Sequence, residues 1–296
     1  MTNCQPTPTK INFANSVLPE YRNSYAIVID NAFTPEECQR LLSKADGKFE
    51  TAQINMGGGK SITDTSYRNS GRVIVDDQQC SDWIFERVRP FLGDIETWVN
   101  REGPLSRMVR LNNQLKFLRY EPGQFFKPHC DGYYADPQTH QISFFTLHLY
   151  LSGPPAESPP TFPCHKAPPT SQQSFFITSL TSIQSTLTSL FTSPPAPPSS
   201  SDEIIGGATR FWGKGLNMES WMDIEPRVGR VLVFQQLGMM HEGREVTGGL
   251  KYTMRADLMY ETIRDEDLFG DVEVVESDGE GEDVEVVDVA EEVEEQ

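Results

Sequence analysis

The stretch Leu118–Asp131 reads LRYEPGQFFKPHCD and ends in a His-x-Asp pair, His129 and Asp131. If this pair lies at the end of a strand, both side chains share one face, because residues i and i+2 lie on the same side of the pleat. One imidazole nitrogen and one carboxylate oxygen can then bind a single metal ion. A second histidine would complete the 2-His-1-carboxylate set that binds non-heme Fe(II). The pair alone is weak evidence, so its partner must be sought elsewhere in the chain.

Four other histidines could supply the third ligand, and His241 fits best. His165 falls in a proline-rich stretch, His140 falls in a polar loop, and His148 lies in the middle of a predicted strand, where a core or surface histidine is the simpler explanation. His241 follows a predicted strand and turn and precedes the last strand. Lys251 lies near the start of that last strand, and a dicarboxylate that chelates a metal at one end needs such a cation at the other.

The pattern of elements predicts helices first and strands afterwards. Residues 24–30 read as a strand, and Thr34, Pro35 and Glu37 form a helix-starting capping box. A second helical pattern runs from Ser81 to about residue 100 and is interrupted at a proline. The strands predicted after these helices cover residues 111–120, 142–151, 230–234 and 250–260. This order favours an antiparallel barrel or double-sheet roll with helices packed against it.

Composition sets limits on the class of protein. A chain of 296 residues can bury a large core, and no apolar run is long enough to span a bilayer. The first residues lack the basic and apolar regions of a signal peptide. Five scattered cysteines without C-x-x-C spacing argue against disulfides or structural zinc. We therefore expect an intracellular protein, cytoplasmic or nuclear, with no membrane association.

The charge is concentrated at one end of the chain. Residues 265–296 hold 16 acidic and no basic residues, which leaves about −2 of the net charge of −18 for the rest. We expect a disordered acidic tail there, either a solubilising segment or a docking arm for a basic partner. The chain offers no basic face, so direct binding of nucleic acid is not expected.

Three further segments complete the predicted domain organisation. Residues 1–23 read as a flexible lead-in to a catalytic domain over residues 24–264. Residues 153–202 interrupt that domain with a Pro/Ser/Thr-rich stretch holding 11 of the 21 prolines. We interpret this stretch as an insertion at a loop tip, where added length costs little stability. A retained intron would have the same composition, and a partner-recruiting segment is a further alternative.

Several motifs occur together in one order along the chain, and their combination resembles a known family. The sequence is similar to the Fe(II)- and 2-oxoglutarate-dependent dioxygenases whose catalytic domain is like that of prolyl 4-hydroxylase. The resemblance covers about residues 25–260 apart from the insertion. It rests on the strand and capped helix of residues 28–38, Tyr120-x-x-Gly123-Gln124, His129-x-Asp131, Thr146-x-x-x-Tyr150-Leu151, Gly206-Gly207-x-Thr209-x-Phe211, and His241 with Lys251.

The resemblance implies a fold, a metal site and a cosubstrate. The fold would be mainly β with flanking α-helices, built on a double-stranded β-helix (jelly-roll) core. The implied Fe(II) ligands, which are also the catalytic residues, are His129, Asp131 and His241. Lys251 and the Tyr120 hydroxyl would bind the distal carboxylate of 2-oxoglutarate, and Thr146 would line the pocket. Arg255 shares the face of Lys251 at i+4 in the strand, so it is a second candidate for cosubstrate or substrate, with a structural salt bridge as the alternative.

The implied reaction uses O2 and 2-oxoglutarate to hydroxylate a C–H bond, releases succinate and CO2, and uses L-ascorbate as a reductant. The resemblance favours a peptidyl proline in an intracellular protein as the substrate, and the acidic tail would suit a basic or proline-containing protein. A small-molecule oxygenase remains an alternative. A non-catalytic binding module on the same fold is another, and a broken ligand set or a missing cation would favour it.

Overall fold

Strands account for most of the regular structure. The computed structural model describes residues 5–45, 47–57, 60–100, 103–156, 160–166, 203–217 and 219–264. The first ten strands in these ranges are β1 Thr7–Lys10, β2 Ala26–Asp30, β3 Glu50–Thr51, β4 Ile54–Gly57, β5 Lys60–Ile62, β6 Arg68–Asn69, β7 Gly71–Asp76, β8 Thr97–Val99, β9 Leu105–Leu111 and β10 Gln114–Tyr120. The next ten are β11 Phe125–His129, β12 Ile142–Tyr150, β13 Cys164–His165, β14 Ile205–Gly206, β15 Thr209–Trp212, β16 Trp221–Ile224, β17 Val231–Gln235, β18 His241–Gly243, β19 Val246–Gly248 and β20 Lys251–Thr262.

The two predicted α-helices are present and precede the strands of the jelly-roll core, but the short strands β3 to β7 lie between them. Helix α1 covers Pro35–Ser43, and helix α2 covers Gln78–Val88. The capping box is present: Glu37 N donates to Thr34 Oγ1, and Thr34 N donates to the Glu37 carboxylate. The helical pattern predicted up to residue 100 ends early, because the proline at position 90 falls in a 3-10 turn and Trp98 lies in strand β8. The short 3-10 turns are Phe13–Asn15, Pro19–Tyr21, Arg89–Phe91, Gly93–Ile95 and Gly215–Asn217.

Eight of the strands form the two facing sheets of a jelly roll. In the larger sheet, the central order is β17-β12-β20-β10, and in the smaller sheet it is β16-β15-β18-β11. All of these neighbours pair antiparallel. Along β10, β11 and β12, and again along β17, β18 and β20, the chain alternates between the two sheets, while β15 and β16 form a hairpin within the smaller one. Strand β19 pairs with β14 in a separate two-stranded sheet. This connectivity confirms the predicted double-stranded β-helix core with flanking helices.

The larger sheet is buried on both faces, which explains its nearly continuous apolar strands. On β2, Ile27 and Ile29 join the apolar cluster that includes buried residues of helices α1 and α2. The alternate residues Ala26 and Val28 join a second cluster with Phe211 of the smaller sheet. Strands β12 and β20 divide in the same way: Leu147 and Ala256 join the first cluster, whereas Thr146, Lys251 and Arg255 line a cavity on the other face.

The N-terminal segment differs from the predicted flexible lead-in. Strand β1 pairs antiparallel with β2 along its whole length. Phe13 and Tyr21 are buried in the cluster between the sheets, and the Tyr21 hydroxyl donates to the Trp212 carbonyl. The expectation for residues 1–23 is therefore wrong from Thr7 onwards. Pairing with β2 and burial of two aromatic rings stabilise a segment that has little hydrophobic periodicity of its own.

Other predicted segments are described only in part. Within the insertion predicted at residues 153–202, Cys164–His165 pairs with Trp221–Met222 of the smaller sheet. The rest of its proline-rich part, residues 167–202, and the acidic tail, residues 265–296, lie outside the described residues. The chain divides into two units, Met1–Thr262 and Ile263–Gln296, and every helix and strand named above belongs to the first unit. Of the helices that the structure describes, none combines the length and apolar character needed to cross a bilayer.

The capping box gives a test of how helix α1 begins. Thr34→Ala removes the side-chain acceptor for the Glu37 N–H and should lower the free energy of unfolding by about 1 kcal/mol. Urea unfolding followed by circular dichroism would measure this change. Thr65→Ala is the matched control, because Thr65 is exposed in a turn and outside any helix. Equal stability of the two variants would contradict the capping role.

Candidate metal centre

The three predicted metal ligands converge between the two sheets. His129 ends β11 and His241 begins the neighbouring β18, and the two residues are directly opposed in the antiparallel register. Asp131 follows two residues after His129, which places its carboxylate on the same side of the chain. Ligand atoms of all three residues lie within 4.8 Å of one another. Nε2 of His129 and Nε2 of His241 each lie 3.8 Å from a carboxylate oxygen of Asp131.

Both histidines are oriented by the same type of hydrogen bond. The Nδ1 atom of His129 lies 2.8 Å from the Lys127 carbonyl, and Nδ1 of His241 lies 3.0 Å from the Met239 carbonyl. A carbonyl can only accept, so each Nδ1 carries the proton and each Nε2 presents a lone pair. Burial lowers the pKa of His129 to about 3 and also lowers the pKa of His241. Both imidazoles are therefore neutral, the form that binds a metal ion.

Asp131 is held ionised by its surroundings. Burial by itself would raise the pKa of this carboxyl, but Arg255 lowers it below its usual range. Arg255 Nη1 lies 3.1 Å from Asp131 Oδ1, and the Thr146 hydroxyl donates to Asp131 Oδ2 at 2.7 Å. Two neutral imidazoles and one carboxylate fit a divalent iron ion, because this donor set on one side leaves coordination positions open on the other.

The cosubstrate residues predicted from the sequence line the same cavity. Tyr120 and Lys251 are directly opposed on β10 and β20, and the Lys251 Nζ lies 4.9 Å from the Tyr120 ring centroid. Both side chains are buried, with 1% of Lys251 exposed. Thr146 also lines the cavity, although its hydroxyl is bonded to Asp131. The cavity is lined by Arg68, Leu118, Tyr120, Phe126, His129, Asp131, Thr146, His148, Thr209, Phe234, His241, Glu242, Gly243, Lys251 and Arg255.

Lys251 and Arg255 differ in what surrounds their charges. Arg255 forms ion pairs with Asp131 and with Asp257, each at 3.1 Å, as in the structural salt-bridge alternative. Burial opposes the charge of Arg255, but these two carboxylates raise its pKa. Lys251 forms no ion pair with any residue that the structure describes. Burial lowers the pKa of Lys251 to about 7, with partial opposition from Glu225. Lys251 is thus the cation that a bound anion would stabilise.

Two basic residues of this cavity, His148 and Arg68, have no role assigned from the sequence. His148 was expected to be a core or surface histidine, yet it lies on the cavity wall. The period-2 rule applied from Thr146 would have found it, because both residues share one face of β12. Arg68 comes from β6, which pairs with β11, and its guanidinium lies 4.4 Å from the Phe126 ring centroid. No motif in the sequence marks Arg68.

Comparison with known proteins gives one similar sequence and several similar folds. No protein-family model matches the chain. Prolyl 4-hydroxylase 1 of Arabidopsis thaliana is 31% identical over 112 residues, which cover 37% of this chain and 35% of the relative. The match thus spans about a third of that relative's length. The expected resemblance to a prolyl 4-hydroxylase is confirmed over this segment.

Similar solved structures include three prolyl hydroxylases. A Pseudomonas putida prolyl-4-hydroxylase matches with 12% identity and a TM-score of 0.43, covering 82% of this chain and 96% of that one. A Trichoplax adhaerens prolyl hydroxylase, solved with a hypoxia-inducible factor peptide, matches with 14% identity and a TM-score of 0.45, covering 83% and 88%. The viral collagen prolyl hydroxylase of Paramecium Bursaria Chlorella virus-1 matches with 16% identity and a TM-score of 0.40, covering 79% and 95%.

The ligand triad is tested by metal binding. His129→Ala, Asp131→Ala and His241→Ala should each abolish tight binding of Fe(II) or Mn(II), because each variant keeps only two of the three metal ligands. Isothermal titration under anaerobic conditions would measure the affinity. His165→Ala is the control, since His165 is exposed on β13. Retention of wild-type affinity in any of the three variants would remove that residue from the metal site.

Proposed function

We propose that the chain is an Fe(II)- and 2-oxoglutarate-dependent dioxygenase that hydroxylates a peptidyl proline. The observation that carries the proposal is a buried lysine, without an ion-pair partner among the described residues, in the cavity that also holds a 2-His-1-carboxylate triad. A dicarboxylate that chelates a metal at one end and carries a free carboxylate at the other matches both features. The partial sequence match to a prolyl 4-hydroxylase supports proline as the hydroxylated residue.

Each residue of the site has a defined task in this proposal. His129, Asp131 and His241 would hold the iron, which supplies redox chemistry with O2 when bound. Lys251 would pair with the distal carboxylate of 2-oxoglutarate, and the Tyr120 hydroxyl would donate to the same group. Thr146 and Arg255 orient the Asp131 carboxylate by their hydrogen bond and ion pair. We also propose that L-ascorbate serves as the reductant.

The apolar side chains that line the cavity have a separate role in this proposal. Leu118, Phe126 and Phe234 line the cavity beside the ligands. Such walls limit the entry of water, which strengthens the attraction between Lys251 and a bound carboxylate. The same walls protect a reactive centre from side reactions.

One experiment tests the whole proposal. Anaerobic addition of Fe(II) and 2-oxoglutarate should produce a weak visible charge-transfer band, and admission of O2 should then release succinate. A proline-rich peptide should stimulate succinate release, whereas a small-molecule oxygenase would not respond to the peptide. Asp131→Ala is the control and should give neither band nor succinate. A folded wild-type protein that binds Fe(II) but gives no band would favour a non-catalytic binding module.

The role of Lys251 is separable from that of Arg255. Lys251→Met should weaken 2-oxoglutarate binding about ten- to hundredfold, because it removes a charged partner of one carboxylate. Its Fe(II) affinity should stay near that of the wild type. Arg255→Met should instead weaken Fe(II) binding and lower stability, because Asp131 and Asp257 lose their shared cation. The reverse pattern, measured by anaerobic titration of both ligands, would show that Arg255 is the anchor.

The pH dependence of binding follows from the burial of Lys251. Above its pKa of about 7, Lys251 is neutral in the free protein, and a bound carboxylate would raise that pKa. Binding then takes up one proton, so affinity for 2-oxoglutarate should fall about tenfold per pH unit above that pKa. Titrations of the metal-loaded protein from about one pH unit below that pKa to about two units above it would measure this slope. In Lys251→Met the slope should vanish, and an unchanged slope would assign the proton to another group.

A further inference from the structure

His148 lies on the wall of the metal cavity and has no role in the proposed function so far. It is a residue of β12, where it shares a face with Thr146 and Tyr150, two positions away on either side. It is opposed by Leu232 of β17 and by Arg255 of β20, so it occupies the middle of the larger sheet. Its side chain lines the cavity together with the triad and Lys251.

The Nε2 atom of His148 is buried and has no hydrogen-bond partner among the described residues. A buried polar atom without a partner is costly and is rare in folded proteins. Burial, together with the charge of Lys251, lowers the pKa of His148 well below its ordinary value. The imidazole is therefore neutral, with one N–H donor and one acceptor nitrogen. In the tautomer that carries its proton on Nε2, this N–H has no acceptor among the described residues and needs one from within the cavity.

The ring of Tyr150 relates the position of His148 in the cavity to that of Lys251. Its ring stacks on the ring of Tyr150, with centroids 4.9 Å apart and an angle of 11° between the planes. The Lys251 Nζ lies 5.8 Å from the same Tyr150 ring centroid. The Tyr150 ring thus lies near both the imidazole and the ammonium group. The charge of Lys251 also acts on His148, which agrees with a position in the same part of the cavity.

The hydroxyl groups of Thr146 and Tyr150, which flank His148 on this face of β12, already donate hydrogen bonds within the protein. The Tyr150 hydroxyl donates to Thr209 Oγ1 at 2.7 Å, and the Thr146 hydroxyl donates to Asp131. Each hydroxyl has a single hydrogen to donate, so neither can also donate to a ligand. In this group of residues, His148 is the one whose Nε2 has no hydrogen-bond partner among the described residues, so a protonated Nε2 is free to donate to a ligand.

We propose that His148 donates a hydrogen bond from Nε2–H to the distal carboxylate of the bound cosubstrate, beside Lys251. This inference rests on the proposed function, because that carboxylate is the one assigned to 2-oxoglutarate. His148 then supplies a neutral donor next to a charged one, and a planar carboxylate has enough acceptor sites for both. Binding of the cosubstrate would supply a hydrogen-bond acceptor for Nε2–H of His148.

Two substitutions separate the hydrogen bond from the packing of the ring. His148→Phe keeps an aromatic ring against Tyr150 but carries no N–H. His148→Gln loses the ring but places an amide N–H at a similar distance along the side chain. The affinity of the intact, Mn(II)-loaded chain for 2-oxoglutarate would be measured by anaerobic isothermal titration. Oxalate is the control ligand, because it chelates the metal without a distal carboxylate, and Mn(II) affinity reports whether the site is folded.

We expect His148→Phe to bind 2-oxoglutarate about ten- to hundredfold more weakly, the range for a hydrogen bond to a charged group. Its affinity for oxalate and for Mn(II) should not change. His148→Gln should recover most of the loss. Unchanged 2-oxoglutarate affinity in His148→Phe, no recovery in His148→Gln, or an equal loss for oxalate would each overturn the proposal. Wild-type protein that binds Mn(II) and oxalate but not 2-oxoglutarate would overturn the proposed function itself, and the role of His148 with it.

Discussion

The site depends on one buried carboxylate, that of Asp131. It lies where the two sheets face each other and is contacted from both of them. His129 and His241 approach it from the smaller sheet, while Thr146 and Arg255 approach it from the larger one. A buried anion without such partners would be protonated or would destabilise the fold. The same contacts that stabilise the charge therefore also determine where a metal ion can bind.

Arg255 connects this carboxylate to a wider network of buried polar groups. Its second partner, Asp257, also receives Lys116 at 2.6 Å and the Gln236 amide at 2.9 Å. Lys116 lies on β10, Arg255 and Asp257 lie on β20, and Gln236 directly follows β17; all three strands belong to the larger sheet. Lys251 lies outside the network, and no described carboxylate forms an ion pair with it. The two cations of β20 therefore differ in role: Arg255 stabilises the fold through its ion pairs, whereas Lys251 can pair with a bound ligand.

Strand alternation explains how the same strands form both the core and the site. On β12, Phe145, Leu147 and Leu149 pack in the apolar cluster that includes buried residues of helices α1 and α2, while Thr146 and His148 line the cavity. Sequence periodicity could have predicted this division, because it follows from the pleat alone. It could not show that the cavity face meets a second sheet. The sequence alone therefore predicts a core or surface histidine at position 148, whereas its side chain lines the same cavity as Lys251.

The sequence by itself determined the local features: the capped helix at Thr34, the order of helices and strands, the His-x-Asp pair and the lysine that starts β20. Each depends on a few adjacent residues and on backbone geometry, so each can be read from its own segment. Only the tertiary structure decided that β1 joins the larger sheet and that Phe13 and Tyr21 enter the core. It also decided that Arg255 is paired with two aspartates and that Nε2 of His148 has no partner among the described residues. These properties depend on which distant segments meet and on how much water their contact excludes. The spacing of residues along the sequence shows neither which distant segments meet nor how much water their contact excludes.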